Sequence, residues 1–173
     1  LREGLAPSKP CALLHMLGSL GAHAPVLPIA RDTEQALRRA LDLAKGADLV
    51  ITIGGASVGD HDLVGKVAGD LGMQRSFYKV AMRPGKPLMA GRLNNAAMVG
   101  LPGNPVSAMV CGHIFIAPMI RAMLGLSPQA PSPFTAPLSA PLTANGPRQH
   151  YMRAQLDQGR IHAYDRQDSA LLT

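Results

Sequence analysis

The apolar run Leu49-Val50-Ile51-Thr52-Ile53 ends in Gly54-Gly55, and a helical pattern opens shortly afterwards at Asp62-Leu63-Val64. The run reads as a buried strand and the segment from Asp62 onward as an opening helix. A strand, a glycine-rich turn and a helix in that order commit the chain to an α/β arrangement. They also aim a helix N-terminus, with free N–H donors and a positive dipole end, at whatever lies beyond the strand. The turn reads Gly54-Gly55-Ala56-Ser57-Val58-Gly59-Asp60-His61-Asp62. Its glycines let backbone donors approach a ligand, because no Cβ intervenes. The carboxylates of Asp60 and Asp62 are out of place in a plain phosphate cradle. They suit a divalent cation beside a phosphate, or polar atoms of a substrate.

The rest of the chain extends the alternation. Residues 11–20 form a helical stripe of Leu13, Met16, Leu17 and Leu20 stopped by Gly21, and 26–29 read as a short strand. Asp32 stands at an N-cap position with Gln35 three residues on, the pattern of a capping box, before an amphipathic helix over 33–45. Strand 48–53 and helix 61–71 come next, then strands over 77–82, 86–90 and 96–101, with a turn at 91–95. The longest helix is predicted over 105–124. Asn104 caps it, Pro105 sits at N1, and Val106, Met109, Val110, His113, Ala117, Ile120 and Leu124 face inward. Helices alternating with strands imply an α/β fold with a mostly parallel sheet covered on both faces. From Leu126 prolines recur (Pro128, Pro131, Pro133, Pro137, Pro141, Pro147). Alternation then returns on either side of Asp157-Gln158-Gly159 as a hairpin. The boundaries that result are an α/β domain over 1–125, a proline-rich linker over 126–147 and part of a small β domain over 148–173.

With 47% hydrophobic residues in 173 the chain can build a core. No apolar window approaches the roughly 18 uninterrupted residues of a membrane span. The formal charge of +6 suits an anionic ligand and equally serves solubility. Three Phe, three Tyr and no Trp leave little for base stacking, which argues against nucleic acid. Cys11 and Cys111 lack metal-ligand spacing and sit among apolar residues. Buried free thiols in a reducing cytoplasm are the expectation. His15 and His113 lie on apolar helical faces and read as core or boundary histidines. The chain begins at Leu1 with no methionine or signal peptide, and it reads as a fragment of a longer protein.

Two further loops could carry chemistry. Met82-Arg83-Pro84-Gly85-Lys86-Pro87, with Lys79 upstream, is a stiff loop presenting fixed cations to an oxyanion. It lacks the spacing of a Walker loop. Leu101-Pro102-Gly103-Asn104-Pro105-Val106-Ser107 ends a strand and opens a helix, with its N-terminus facing outward. Singly, each loop also reads as ordinary turn chemistry. In an open α/β sheet, however, all three would follow strand carboxyl ends, where ligands bind.

Together these three segments, in order, spacing and identity, closely resemble the molybdopterin molybdenumtransferase family, which includes MoeA and the gephyrin E domain. The resemblance covers about residues 1–125, with a weaker match over 137–173 to the start of the family's C-terminal β domain. It implies a three-layer molybdopterin-binding domain of the MogA/MoaB-like kind. The implied activity is insertion of molybdate into adenylylated molybdopterin with release of AMP, aided by Mg²⁺, in a cytoplasmic homodimer. It further implies that Gly54, Gly55, Ser57 and Gly59 hold the phosphate or adenylate side. Asp62 and Asp60 would act near Mg²⁺, and Asp32 would match the family's acid after the preceding strand. Lys79, Arg83 and Lys86, presented with Pro84 and Gly85, would bind anionic groups, with Lys86, Asp62 and Asp32 as catalytic residues. Pro102, Gly103, Asn104, Pro105 and Ser107 would line the molybdate region, and Arg153 matches an arginine of the C-terminal domain. The pathway's adenylyltransferase is an implied partner. The chain departs from the family pattern at Ser8-Lys9-Pro10 and at Ile53, and it lacks the two N-terminal domains that complete the family's site. Two other readings stay open: an adenylyltransferase of the MogA type, and a non-catalytic scaffold module.

Overall fold

The structure, a computed structural model, describes residues 8–55, 62–128 and 133–167. Its centre is a four-stranded sheet ordered β1-β5-β4-β2: β1 is Leu49–Ile53, β2 Gln74–Tyr78, β4 Met89–Leu93 and β5 Ala96–Leu101. β1 and β5 are parallel, from Leu49 opposite Ala97 to Ile53 opposite Leu101. β4 is antiparallel to β5 and β2 antiparallel to β4. Three of the four strands therefore run in one direction, with β4 the reversed one.

Strand periodicity sorts the side chains into two cores. Val99 and Leu101 of β5 join Leu13, Met16 and Leu17 of helix α1 (Ser8–Ser19) and the buried stripe of the helix that follows β5. Met98 faces the other way, with Met89 and Leu93 of β4, onto Leu41 of α2 (Glu34–Leu43) and Val64, Val67 and Ala68 of α3 (Leu63–Asp70). Helices on both sides of one sheet make three layers, as the sequence predicts. Thr52 of β1 lies on the α2/α3 face, where its buried hydroxyl has no partner among the described residues.

The helix after β5 runs Pro105–Met123 in three parts: α4 (Pro105–Cys111), a π-helical turn (Gly112–Ile116) and α5 (Ala117–Met123). By length and composition alone it could cross a bilayer. Its buried residues Val106, Ala108, Cys111, Ile116 and Ile120 instead build this domain's core. Pro118 brings no N–H and crowds the preceding turn, and a widened turn just before it relieves that conflict. His113 and Leu124, expected inward, are exposed; the helix turns Ala108, Cys111, Ile116 and Ile120 to the core, and His113 lies across the helix from Cys111.

Other expectations need correction. Residues 26–29 form no strand. Val26 and Ile29 are exposed, and Pro25 and Pro28 remove the donors a ladder needs. The cap of α2 is Thr33, whose hydroxyl accepts from Ala36 N at 3.3 Å, in place of Asp32. β2 spans Gln74–Tyr78 where a strand over 77–82 was expected, because Lys79 adopts φ +71 and breaks it. β4 continues through Gly91, and the turn tightens to Asn94-Asn95. Cys11 is exposed, Cys111 buried, and both are free. His15 is exposed.

Beyond the domain the backbone is largely irregular, but it is anchored. Strand β6 (Gln149–His150) pairs in parallel with the two-residue β3 (Met82–Arg83). β7 (Ala154–Asp157) and β8 (Arg160–Ala163) form the expected hairpin through Gln158-Gly159. Ile161 N donates to Pro137 O and Ser139 N to Ile161 O.

Candidate active site

β1, β5 and β2 run the same way, so their carboxyl ends open on one edge of the sheet. The turns beginning at Gly54, Pro102 and Lys79 leave from those three ends. The first two are in direct contact. Gly54 N donates to Leu101 O at 3.0 Å. A Cβ added at Gly103 would lie 3.3 Å from Gly54 Cα, and one at Gly54 3.6 Å from Gly103 Cα. The turns pack backbone on backbone, a contact that a side chain at Gly103 would crowd.

Of the first motif, Ser57, Gly59, Asp60 and His61 lie outside the described residues. Gly54 and Gly55 turn out of β1 with φ +82 and +72. Asp62 caps α3, its Oδ1 accepting from Gly65 N at 2.8 Å. It also lines a cavity of about 390 Å³ with Gly65, Lys66, Met73, Arg75 and Tyr78. That volume lies within the rough 300–1,000 Å³ range of small-molecule sites. Arg75 and the ammonium of Lys79 stand over the Tyr78 ring, 5.3 and 5.0 Å from its centroid. Partial burial, and secondarily the charge of Asp62, pushes the Tyr78 phenol above its ordinary pKa, against the pull of Arg75. At the rim Lys66 pairs with Glu34. That hydrogen bond and charge hold the Glu34 carboxyl below its usual range and raise Lys66.

The second motif is braced from below. Lys79 N donates to Leu88 O at 2.8 Å and Val80 N to Lys86 O at 3.0 Å, closing the loop on itself. Gly85 has φ +110, and a Cβ there would sit 2.6 Å from Cys111 Sγ. The loop therefore rests on α4, the helix that the third motif opens. Burial pushes the Cys111 thiol up to about 12, so it is a packing group and not a nucleophile. Arg83 and Lys86 remain exposed, and Pro84 is half-buried. Arg83 lines a second, smaller cavity with Asn145, Gly146, Pro147, Arg148 and His150.

In the third motif Asn104 caps α4: its Oδ1 accepts from Ser107 N at 3.1 Å and from Ser107 Oγ at 3.2 Å. Ser107 is buried in this capping pair, and Pro102 is buried beside half-buried Pro105. Of the expected residues that the structure describes, Asp62 alone lines the larger cavity and Arg83 alone the smaller. Asp32 is exposed and lines neither cavity. Arg153 lines neither, and its guanidinium donates to Arg166 O at 2.6 Å within the hairpin region. Sequence reasoning missed Arg75, Tyr78, Arg148 and His150. The first two flank Lys79 on the edge strand, and the last two lie in the segment that pairs with β3.

The fold is that of solved molybdopterin-biosynthesis proteins. The MoeA protein from Pyrococcus horikosii superposes with a TM-score of 0.74 over 90% of this chain and 38% of its own, at 24% identity. Residues 10–122 match the family model of a probable molybdopterin-binding domain, and the chain belongs to that family. It is 44% identical over 100 residues to the molybdopterin molybdenumtransferase of Haemophilus influenzae, covering 57% of this chain and 24% of the relative. It is 41% identical over 134 residues to molybdopterin molybdenumtransferase 2 of Mycobacterium tuberculosis, covering 70% of this chain and 32% of the relative. The chain thus spans about a quarter to a third of these relatives' length.

Proposed function

We propose that this chain is the pterin- and oxyanion-binding part of a molybdopterin molybdenumtransferase, which inserts molybdate into adenylylated molybdopterin and releases AMP. The single observation that carries the reading is a sheet edge where the turns after β1 and β5 touch, beside a cavity of organic-ligand size that holds the Asp62 carboxylate with Lys66 and Arg75. The identity to relatives of that name supports it.

Displacing AMP from a phosphate requires neutralisation of charge more than covalent chemistry. Lys79, Arg83 and Lys86 supply fixed positive charge around the second loop, and the α3 and α4 N-termini supply N–H groups and positive dipole ends. Asp62 caps α3 through one carboxylate oxygen. Mg²⁺ is commonly held by one or two carboxylates plus substrate phosphates, without a full protein cage. The described residues contain no cluster of three His, Cys, Asp or Glu able to hold a metal alone. The single carboxylate of Asp62, on a cavity of about 390 Å³, fits that sparse mode, with Asp60 as second ligand. Bound there, Mg²⁺ would offset phosphate charge. We assign the full-length protein to the cytoplasm, in keeping with its two free thiols, and to a homodimer.

The test is AMP release by the full-length protein from adenylylated molybdopterin, with and without molybdate. Molybdate-stimulated release is expected. Formation of the adenylylated pterin from ATP, with no molybdate response, would overturn the reading in favour of an adenylyltransferase.

A further inference from the structure

The smaller cavity has a chemistry distinct from the larger one. Its lining is Arg83, Arg148 and His150 together with Asn145, Gly146 and Pro147, with no carboxylate among them. Its volume of about 90 Å³ equals roughly three water volumes, too small for a nucleotide and adequate for a single ion. The cations are assembled from two distant parts of the chain. Gln149 N donates to Ala81 O at 2.9 Å and Tyr151 N to Arg83 O at 2.7 Å, which sets His150 opposite Arg83 in the β3–β6 register. β3 is itself fixed, because Met82 is buried in the core. Among the described residues the ion pairs are Arg38–Asp70, Lys45–Asp42 and Lys66–Glu34, so none neutralises Arg83 or Arg148. Two arginines facing one small cavity repel each other unless an anion lies between them. Planar guanidinium groups match the oxygen edges of tetrahedral oxyanions.

We propose that Arg148 and His150 join Arg83 in a seat for a doubly charged tetrahedral oxyanion. The division of labour deepens the proposed transferase function and rests on it: the larger cavity, with Asp62, takes the organic ligand, and the smaller takes the ion. The same chemistry would hold a free oxyanion such as molybdate or the phosphoryl group of a nucleotide.

The test is calorimetric titration of the full-length protein with molybdate alone and, separately, with AMP alone. Arg148→Ala and His150→Ala are compared with wild type and with Arg148→Lys. Removing one charge-assisted contact is expected to weaken oxyanion affinity roughly 10- to 100-fold, with Arg148→Lys retaining most of it. A loss seen with molybdate alone supports the seat and identifies the free ion as its occupant. A loss confined to AMP supports it with the phosphoryl group as occupant. Unchanged affinity for both ligands in both alanine variants overturns it. If AMP release proves independent of molybdate while Arg148→Ala still weakens oxyanion binding, the seat stands and the transferase reading fails. If release depends on molybdate and Arg148→Ala alters neither affinity, the seat fails and the transferase reading stands.

Discussion

Replacing Gly85 by alanine tests whether the cationic loop is held by its packing on α4. Two costs can be worked separately. At φ +110 any Cβ is strained, roughly 1–2 kcal/mol by analogy with left-handed backbone. The new methyl would also lie 2.6 Å from Cys111 Sγ and 3.1 Å from Met82 Cε. A carbon contact ordinarily settles at about 3.5–4.0 Å. Met82 can yield, being an unbranched thioether, but Cys111 is fully buried on a helix. Overpacking of that kind costs about 1–3 kcal/mol, for a total of about 2–5 kcal/mol. Cys111→Ala removes the obstructing sulfur and alone should cost about 1–2 kcal/mol as a small cavity. In the double variant the overpacking cost disappears and the backbone strain persists. The two substitutions should therefore couple favourably by about 1–3 kcal/mol. Urea unfolding of all four proteins, with unchanged m-values, measures this. If Gly85→Ala costs the same with and without the Cys111 sulfur, the loop is not braced by that contact and the reasoning is refuted.

Asp62 combines a cap with a charge, and two variants separate them. Asp62→Asn should keep stability within a few tenths of a kcal/mol and lose AMP release, whereas Asp62→Ala should also lose about 1 kcal/mol in urea unfolding. Equal activity in wild type and Asp62→Asn would remove the carboxylate from the chemistry. Thr52→Val replaces a buried, unpartnered hydroxyl with a methyl of similar shape, and should raise stability by about 1 kcal/mol; a clear loss in the same assay contradicts the orphan assignment. The Cys111 thiol is protonated in both folded and unfolded chains below pH 9, and between pH 9 and about 12 only the unfolded chain ionises. Its stabilising contribution is thus fully present below pH 9 and falls as pH rises, by up to about 1.4 kcal/mol per unit. The advantage of wild type over Cys111→Ala should shrink above pH 9, vanish roughly one unit higher and then reverse, and a constant difference would contradict it. In native protein at pH 8 iodoacetamide should label exposed Cys11 and spare Cys111, as peptide mass spectrometry can show.

The layers and the three turns could be read from residues because their signals are local. Ile53 running into Gly54, Asn104 before Pro105, and the period-two and helical stripes each need only a few neighbours to interpret. What escaped the sequence depends on contacts between remote segments. The strand expected over 77–82 ends early because Lys79 takes a left-handed backbone, which its residue type does not announce. His113 faces out because tertiary packing turns Ala108 and Cys111 to the core, off the expected stripe. Arg148 and His150 carry no motif, and only the pairing of β6 with β3 brings them to Arg83. Asp32, Asp62 and Thr33 show the reverse case. Asp32 carries the residue type of a cap without being one, Thr33 and Asp62 are caps, and of the three Asp62 alone lines a cavity.

The β3–β6 pairing makes one wall of the small cavity a tethered part. The covalent link from α5 to β6 keeps Arg148 at a high effective concentration beside Arg83. A protease cut within that link would leave every atom of the larger cavity covalently intact. The smaller one would become a bimolecular complex whose integrity depends on concentration.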